Sequence, residues 1–257
     1  MRGKRDRMLG LRRWWWFAAA IVALMTMTHR SWPQGLPQQA LQRVTAAHGR
    51  ALTTGEIRDW SAEGKITTYT SDGRPKKTFD MTLLRKGSSQ VQRIIKQGAH
   101  ELRQGTNGEV TWDSLDGRFT TIAQGSTLHF IESQTIRSVH AMLNYGQTGL
   151  AVRDLGPDGK TRQLEAEDRQ GRKTRYFMDE ESGLITRLEF VALLGTDIRT
   201  RAEQTRRDTY EFSDYRSIQG VMTPFRIERF SDGHKIEEIQ WTSHKYNAAI
   251  QDSAFRP

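Results

Sequence analysis

Side chains able to do acid–base, nucleophilic or metal chemistry occur in this sequence, but their spacing does not assemble them. His48, His100, His129, His140, His234 and His244 show neither the H-x-H nor the H-E-x-x-H spacing that sets two imidazoles on one metal ion. There is no cysteine. That excludes thiol nucleophiles, disulfides, zinc fingers and iron–sulfur sites, and also a lipid-modified cysteine behind a leader. No G-x-S-x-G elbow is present, because Gly125-Ser126 has the wrong flanks. "GPDGKT" (Gly156–Thr161) imitates the end of a phosphate loop, yet Asp154 stands where the first glycine is required. A Pro-Asp-Gly turn is the simpler reading. Asp179, Glu180 and Glu181 cluster without the alternating oxygen ligands and distal glutamate of a calcium loop, and read as a solvated hairpin tip. The expectation is a non-enzymatic protein with no metal and no cofactor.

What remains is the chemistry of apolar surface. Phe79, Met81 and Leu83 alternate with Asp80 and Thr82; Leu188 and Phe190 alternate with Arg187 and Glu189. Phe225 and Ile227 alternate with Arg226 and Glu228, and Ile239 and Trp241 with Glu238 and Gln240. This period of two belongs to strands with one buried face. Turn pairs recur between such runs: Asp72-Gly73, Asn107-Gly108, Asp116-Gly117, Asp158-Gly159, Gln170-Gly171, Ser182-Gly183 and Asp232-Gly233. Asn-Gly and Asp-Gly supply the positive φ angles of tight hairpins. The fold class is therefore mainly β: a large antiparallel curved meander with one apolar face and two or three helices set on it.

The first helix is expected from Pro37 to about Leu52, where Leu41, Val44, His48, Ala51 and Leu52 fall near one face and Pro37 suits the first turn. The second is expected over Ser133–Gly146, with Ile136, Val139, His140 and Leu143 at helical spacing and Gly146 as C-cap. In "DYRSIQGVMTPFRIERF" (Asp214–Phe230), Gly220 is expected to turn the chain and Pro224 to begin the next strand.

The net charge of +9 is unevenly placed. The first 30 residues hold seven basic side chains against Asp6 alone, a net +6, which leaves +3 for the other 227. A nucleic-acid-binding domain keeps its charge in the folded body, so none is expected to bind. The basic stretch Met1–Arg13 and the uncharged run Trp14–Thr28 form the pattern of an export signal. An uncleaved anchor over residues 14–28 is the alternative. The division expected is a leader over residues 1–30, a linker over 31–36 and one domain over 37–257. The basic run Arg199–Asp208 reads as a solvated loop or strand, or as a patch for anionic lipid headgroups.

The C-terminal third carries a resemblance. "YFMDEESGLITRLEF" (Tyr176–Phe190) resembles a strand–turn–strand of the bacterial outer-membrane lipoprotein-sorting proteins and their LolA-like relatives. Asp214, Tyr215, Gly220 and Pro224 match the next feature of that family; Asn247, Ile250, Asp252 and Phe255 match its closing segment. "GKITTY" (Gly64–Tyr69) and "NGEVTWD" (Asn107–Asp113) resemble earlier strands. The resemblance implies a half-open barrel wrapped around helices, with acyl chains held on the concave face. It implies an exported carrier or sensor in the periplasm or cell envelope. Its partners would be lipid or lipoprotein acyl chains, with contact to an inner-membrane surface or to envelope proteins. The cavity residues it implies are Phe79, Met81, Leu83, Val139, Leu143, Leu188, Phe190, Phe225, Ile227, Ile239 and Trp241. The carriers lock a helical lid with an arginine for which the sequence shows no aligned position. The alternative is a structural or partner-binding envelope protein in which the same residues form a closed core.

Overall fold

Each of the seven glycine-containing pairs turns the chain between consecutive strands in the computed structural model, which describes residues 36–121, 126–196 and 203–257. The glycine of every pair has positive φ, and at Asp116-Gly117 and Asp232-Gly233 the aspartate does too. These are the geometries that match the twist of paired strands. The leader lies outside the described residues, as does the 31–35 part of the linker.

Thirteen strands form one antiparallel sheet, curved but not closed into a barrel. They are β1 (Asp59–Tyr69), β2 (Pro75–Lys86), β3 (Gln90–Gln97), β4 (His100–Thr106), β5 (Thr111–Leu115), β6 (Arg118–Thr121), β7 (Ala151–Asp158), β8 (Thr161–Glu167), β9 (Lys173–Asp179), β10 (Ile185–Thr196), β11 (Glu203–Ile218), β12 (Val221–Ser231) and β13 (His234–Tyr246). The order is β6-β5-β4-β3-β2-β1-β13-β12-β11-β10-β9-β8-β7. Two meanders therefore join where the first strand pairs with the last. Residues Pro37–Pro257 form one compact unit.

The first helix, α1 (Leu36–His48), buries Leu41, Val44 and His48 along one stripe, as their spacing predicts. It stops at Gly49, and Arg50–Leu52 continue as a short 3-10 turn. A side chain at Gly49 would meet the carbonyl oxygen of Gly220 at 2.4 Å, so the backbone approach itself requires glycine.

The expected helix over Ser133–Gly146 is instead three pieces: α2 (Ser126–Thr135), α3 (Val139–Leu143) and α4 (Tyr145–Thr148). The break has a local cause. Ser138 is extended (φ −110°, ψ 159°) and its Oγ accepts from Ala141 N at 3.1 Å, an N-cap that restarts the helix. The left-handed C-cap is Gly149, three residues beyond the expected Gly146.

The strand beginning expected at Pro224 lies earlier, at Val221, because Gln219 and Gly220 both take positive φ and close the β11–β12 turn. Pro224 sits inside β12, opposite Tyr215. Pairing of β12 with β13 ends at Arg226, so the missing N–H falls where the strand has a ladder partner on one side only.

Two clusters make the core. One joins α1, α3 and β8–β10 through Leu41, Val44, Leu143, Leu164, Tyr176 and Leu188. The other joins β1–β3, α2 and β12–β13 through Ile66, Met81, Leu83, Phe130, Phe225 and Trp241.

Candidate binding cavity

A cavity lies between these clusters, under the helical segments and over the concave face of the sheet. Its volume is about 180 Å³, and it opens to solvent. That is below the roughly 300–1,000 Å³ of drug-sized ligand sites and gives room for part of an alkyl chain.

The wall is built by register. Leu83 on β2 stands opposite Ala62 on β1, and Met81 opposite Gly64, whose other neighbour is Trp241 on β13. Ile66 follows, between Phe79 and Ile239, and Ile239 pairs with Ile227 on β12. Gly64 is required there: a Cβ would lie 2.2 Å from Gln240 O. A bulge at Thr242 shifts the phase of β13, so that Trp241 and, beyond the bulge, His244 and Tyr246 all line the cavity.

Of the eleven residues named from sequence, seven line this space: Met81, Leu83, Val139, Leu188, Ile227, Ile239 and Trp241. The other four pack in or against the flanking clusters. Leu143 and Phe190 belong to the first, Phe225 to the second, and half-buried Phe79 packs against the second. Phe190 is covered by the Arg137 guanidinium at 4.2 Å and stacks on Tyr210 at 6.0 Å.

Sequence reasoning missed the polar part of the wall. Arg85 and Arg93 are buried, on neighbouring strands. Arg93 donates from Nε to Gln104 Oε1 at 3.1 Å and lies 4.0 Å over the ring of Phe130. Arg85 donates from Nη1 to Gln134 O at 2.6 Å and to Ser138 Oγ at 3.4 Å, and from Nε to Gly87 O at 3.4 Å. It thereby ties β2 to the carbonyl just before the helix break. Burial lowers its pKa to about 10, so it stays charged at neutral pH. Phase was the available signal: Met81, Leu83, Arg85 and Val91, Arg93, Ile95 each put an arginine on the apolar side of a strand.

Arg229 also lines the cavity, but its charge is met. It donates to Asp208 at 2.9 Å and Glu237 at 3.0 Å, and Asp208 is also held by Arg206.

Three histidines border the space as neutral rings. Burial holds His48 and His244 down to about 4; burial, then the Arg85 charge, brings His140 to about 3. His48 accepts from Ile185 N at 3.1 Å, which seats the end of α1. His244 stacks on Trp60 and meets the Tyr246 ring at a tilt. No group of three metal-ligating side chains occurs among the described residues. Gly156–Thr161 forms the β7–β8 hairpin, and Asp179 accepts from Ser182 within its own turn. Residues 199–202 of the basic run lie outside the described residues.

No protein-family model matches the chain, and no curated protein matches it in sequence. Solved structures do match in fold. A DUF1329 family protein from Desulfovibrio piger superposes with a TM-score of 0.56 at 12% identity, over 85% of this chain and 96% of that one. A LolA superfamily protein from Nitrosomonas europaea gives 0.56 at 14%, over 86% and 97%. No helix among the described residues is long and apolar enough to cross a membrane.

Proposed function

We propose that this chain, which has the LolA-like fold, is a non-enzymatic carrier or sensor that takes acyl chains of lipids or lipoproteins into the cavity. The observation that carries this reading is the cavity itself. Apolar side chains from β1, β2, β12 and β13 border open space beside the helical segments, while Met81, Leu83 and Trp241 also pack with Phe130 of α2. Each methylene moved from water to such a wall contributes about 0.8 kcal/mol, so a chain of some sixteen carbons gains on the order of 10 kcal/mol before ordering costs. No titrating catalyst is needed. Arg85 fits the part of the arginine that locks a helical lid in the carriers this sequence resembles, because it holds Gln134 and Ser138. Release then requires that hold to break. Export to the cell envelope, through the basic and apolar leader, completes the reading.

Titration of a fluorescent fatty acid into protein purified without detergent tests it. Saturable one-to-one binding is expected, weakened at least ten-fold by Ile239→Asp, which puts a carboxylate on the apolar wall. Absence of saturable binding to the wild type overturns the reading in favour of a structural envelope protein.

A further inference from the structure

We infer that the ligand of this cavity carries an anionic head, a carboxylate or a phosphate, and that Arg85 binds it. The inference rests on the acyl-chain reading and specifies its ligand.

Arg85 is 3% exposed and lines the cavity. Two of its nitrogens are used: Nε on Gly87 O, and Nη1 on Gln134 O and Ser138 Oγ. Nη2 is buried and has no hydrogen-bond partner. All three acceptors are neutral, and among the described residues no carboxylate lies within ion-pair distance of Arg85. Its neighbour His140 is an uncharged ring and brings no counter-ion. Arg229, on the same cavity, shows the ordinary solution: its charge is met by Asp208 and Glu237. A buried cation with a spare donor and no counter-ion is costly to keep. A ligand that brings the missing charge and acceptor removes that cost, and the planar fork of arginine suits a carboxylate or phosphate.

The surroundings extend the match from head to tail. Leu83 and Met81 follow Arg85 on the same face of β2, over roughly 13 Å at ordinary strand rise. Trp241 and Ile239 continue the apolar wall across Gly64 and Ile66. An anionic group at Arg85 thus leaves its hydrocarbon on Leu83, Met81 and Trp241. A neutral ester or alcohol of equal length would fill the same wall and offer Nη2 an acceptor, but would bring no charge to meet that of Arg85.

Isothermal titration of dodecanoate, dodecyl phosphate, methyl dodecanoate and dodecanol into the full chain reads this directly. The two anions are expected to bind the wild type at least ten-fold more tightly than the two neutral ligands. Preference for one anion names the head as carboxylate or phosphate; either result supports the inference. Arg85→Gln is expected to abolish the discrimination, with anions and neutral ligands binding that variant equally, and Arg85→Lys to retain part of it. Equal binding of all four ligands to the wild type overturns the anionic head and leaves the acyl-chain reading standing. Failure of all four to bind removes both. Persistence of the full discrimination in folded Arg85→Gln removes Arg85 from the role. Should that variant not fold, the four-ligand comparison on the wild type and on Arg85→Lys still decides.

Discussion

The guanidinium of Arg85 and the main-chain carbonyl of Gln134 lie 2.6 Å apart, joining β2 to the end of α2 across 49 residues of sequence. The bond is charge-assisted and buried, and the carbonyl it uses belongs to the last turn of α2, where helical carbonyls lose their intrahelical partners. Removing it with Arg85→Ala should cost about 1.5–3 kcal/mol in a denaturant melt. Amides of residues 133–143 should then exchange hydrogen faster than those of the sheet. Unchanged protection there would mean the segment is held by its apolar contacts alone.

Leu143 and Val139 lie one turn apart in α3 with different surroundings. Leu143 is buried in the α1 cluster, whereas Val139 is half-buried and lines the cavity. Leu143→Ala should cost about 2–5 kcal/mol and change ligand affinity little. Val139→Ala should cost about 1 kcal/mol or less and weaken fatty-acid binding severalfold. Paired melts and titrations check both, and the reverse pattern would put Leu143 on the ligand side.

Stability should fall on mild acidification. The folded pKa values of His48, His140 and His244 lie at about 4, 3 and 4, below the ordinary 6.5. The unfolded chain therefore takes up protons first. Stability is complete above about pH 6.5 and is lost as pH drops toward 4, by up to about 1.4 kcal/mol per pH unit for each ring. Urea midpoints should be level from pH 8 to 7 and decline between 6.5 and 4.5. A flat profile across that window would show that these rings are open to water.

Gly64 and Gly146 should respond oppositely to alanine. At Gly64 the new methyl would meet the β13 backbone, 2.2 Å from Gln240 O and 2.8 Å from Trp241 Cα. Gly146 sits in α4, and a methyl added there would have nothing within 4 Å. Gly64→Ala should destabilise by several kcal/mol, and Gly146→Ala should stabilise by up to about 1 kcal/mol. Thermal melts of the two variants test the contact.

Much of the architecture was legible in the sequence because it is local. Asp116-Gly117 and Asp232-Gly233 encode their own φ angles, and period-two runs such as Phe79-Met81-Leu83 declare a strand with one buried side. The helical break at Ser138 was less legible: Ile136, Val139, His140 and Leu143 keep helical spacing through it, and periodicity does not register a cap that restarts a helix in the same phase.

By itself, the sequence determined that there is a meander, that it has an apolar face, and that helices accompany it. Those properties follow from nearest-neighbour geometry and alternation. Only the tertiary structure decided which apolar residues face open space and which close on one another. Leu143 and Val139 look alike in sequence and part company because Leu143 is buried within the first cluster, whereas Val139 packs at its edge and borders the cavity. It also decided what the arginines do. Arg85 and Arg229 are both cations on strands with apolar neighbours. Asp208 and Glu237, distant in sequence, reach Arg229, while among the described residues the chain folds no carboxylate onto Arg85. Burial and counter-ions are properties of atoms brought together through space, and no spacing along the chain encodes them.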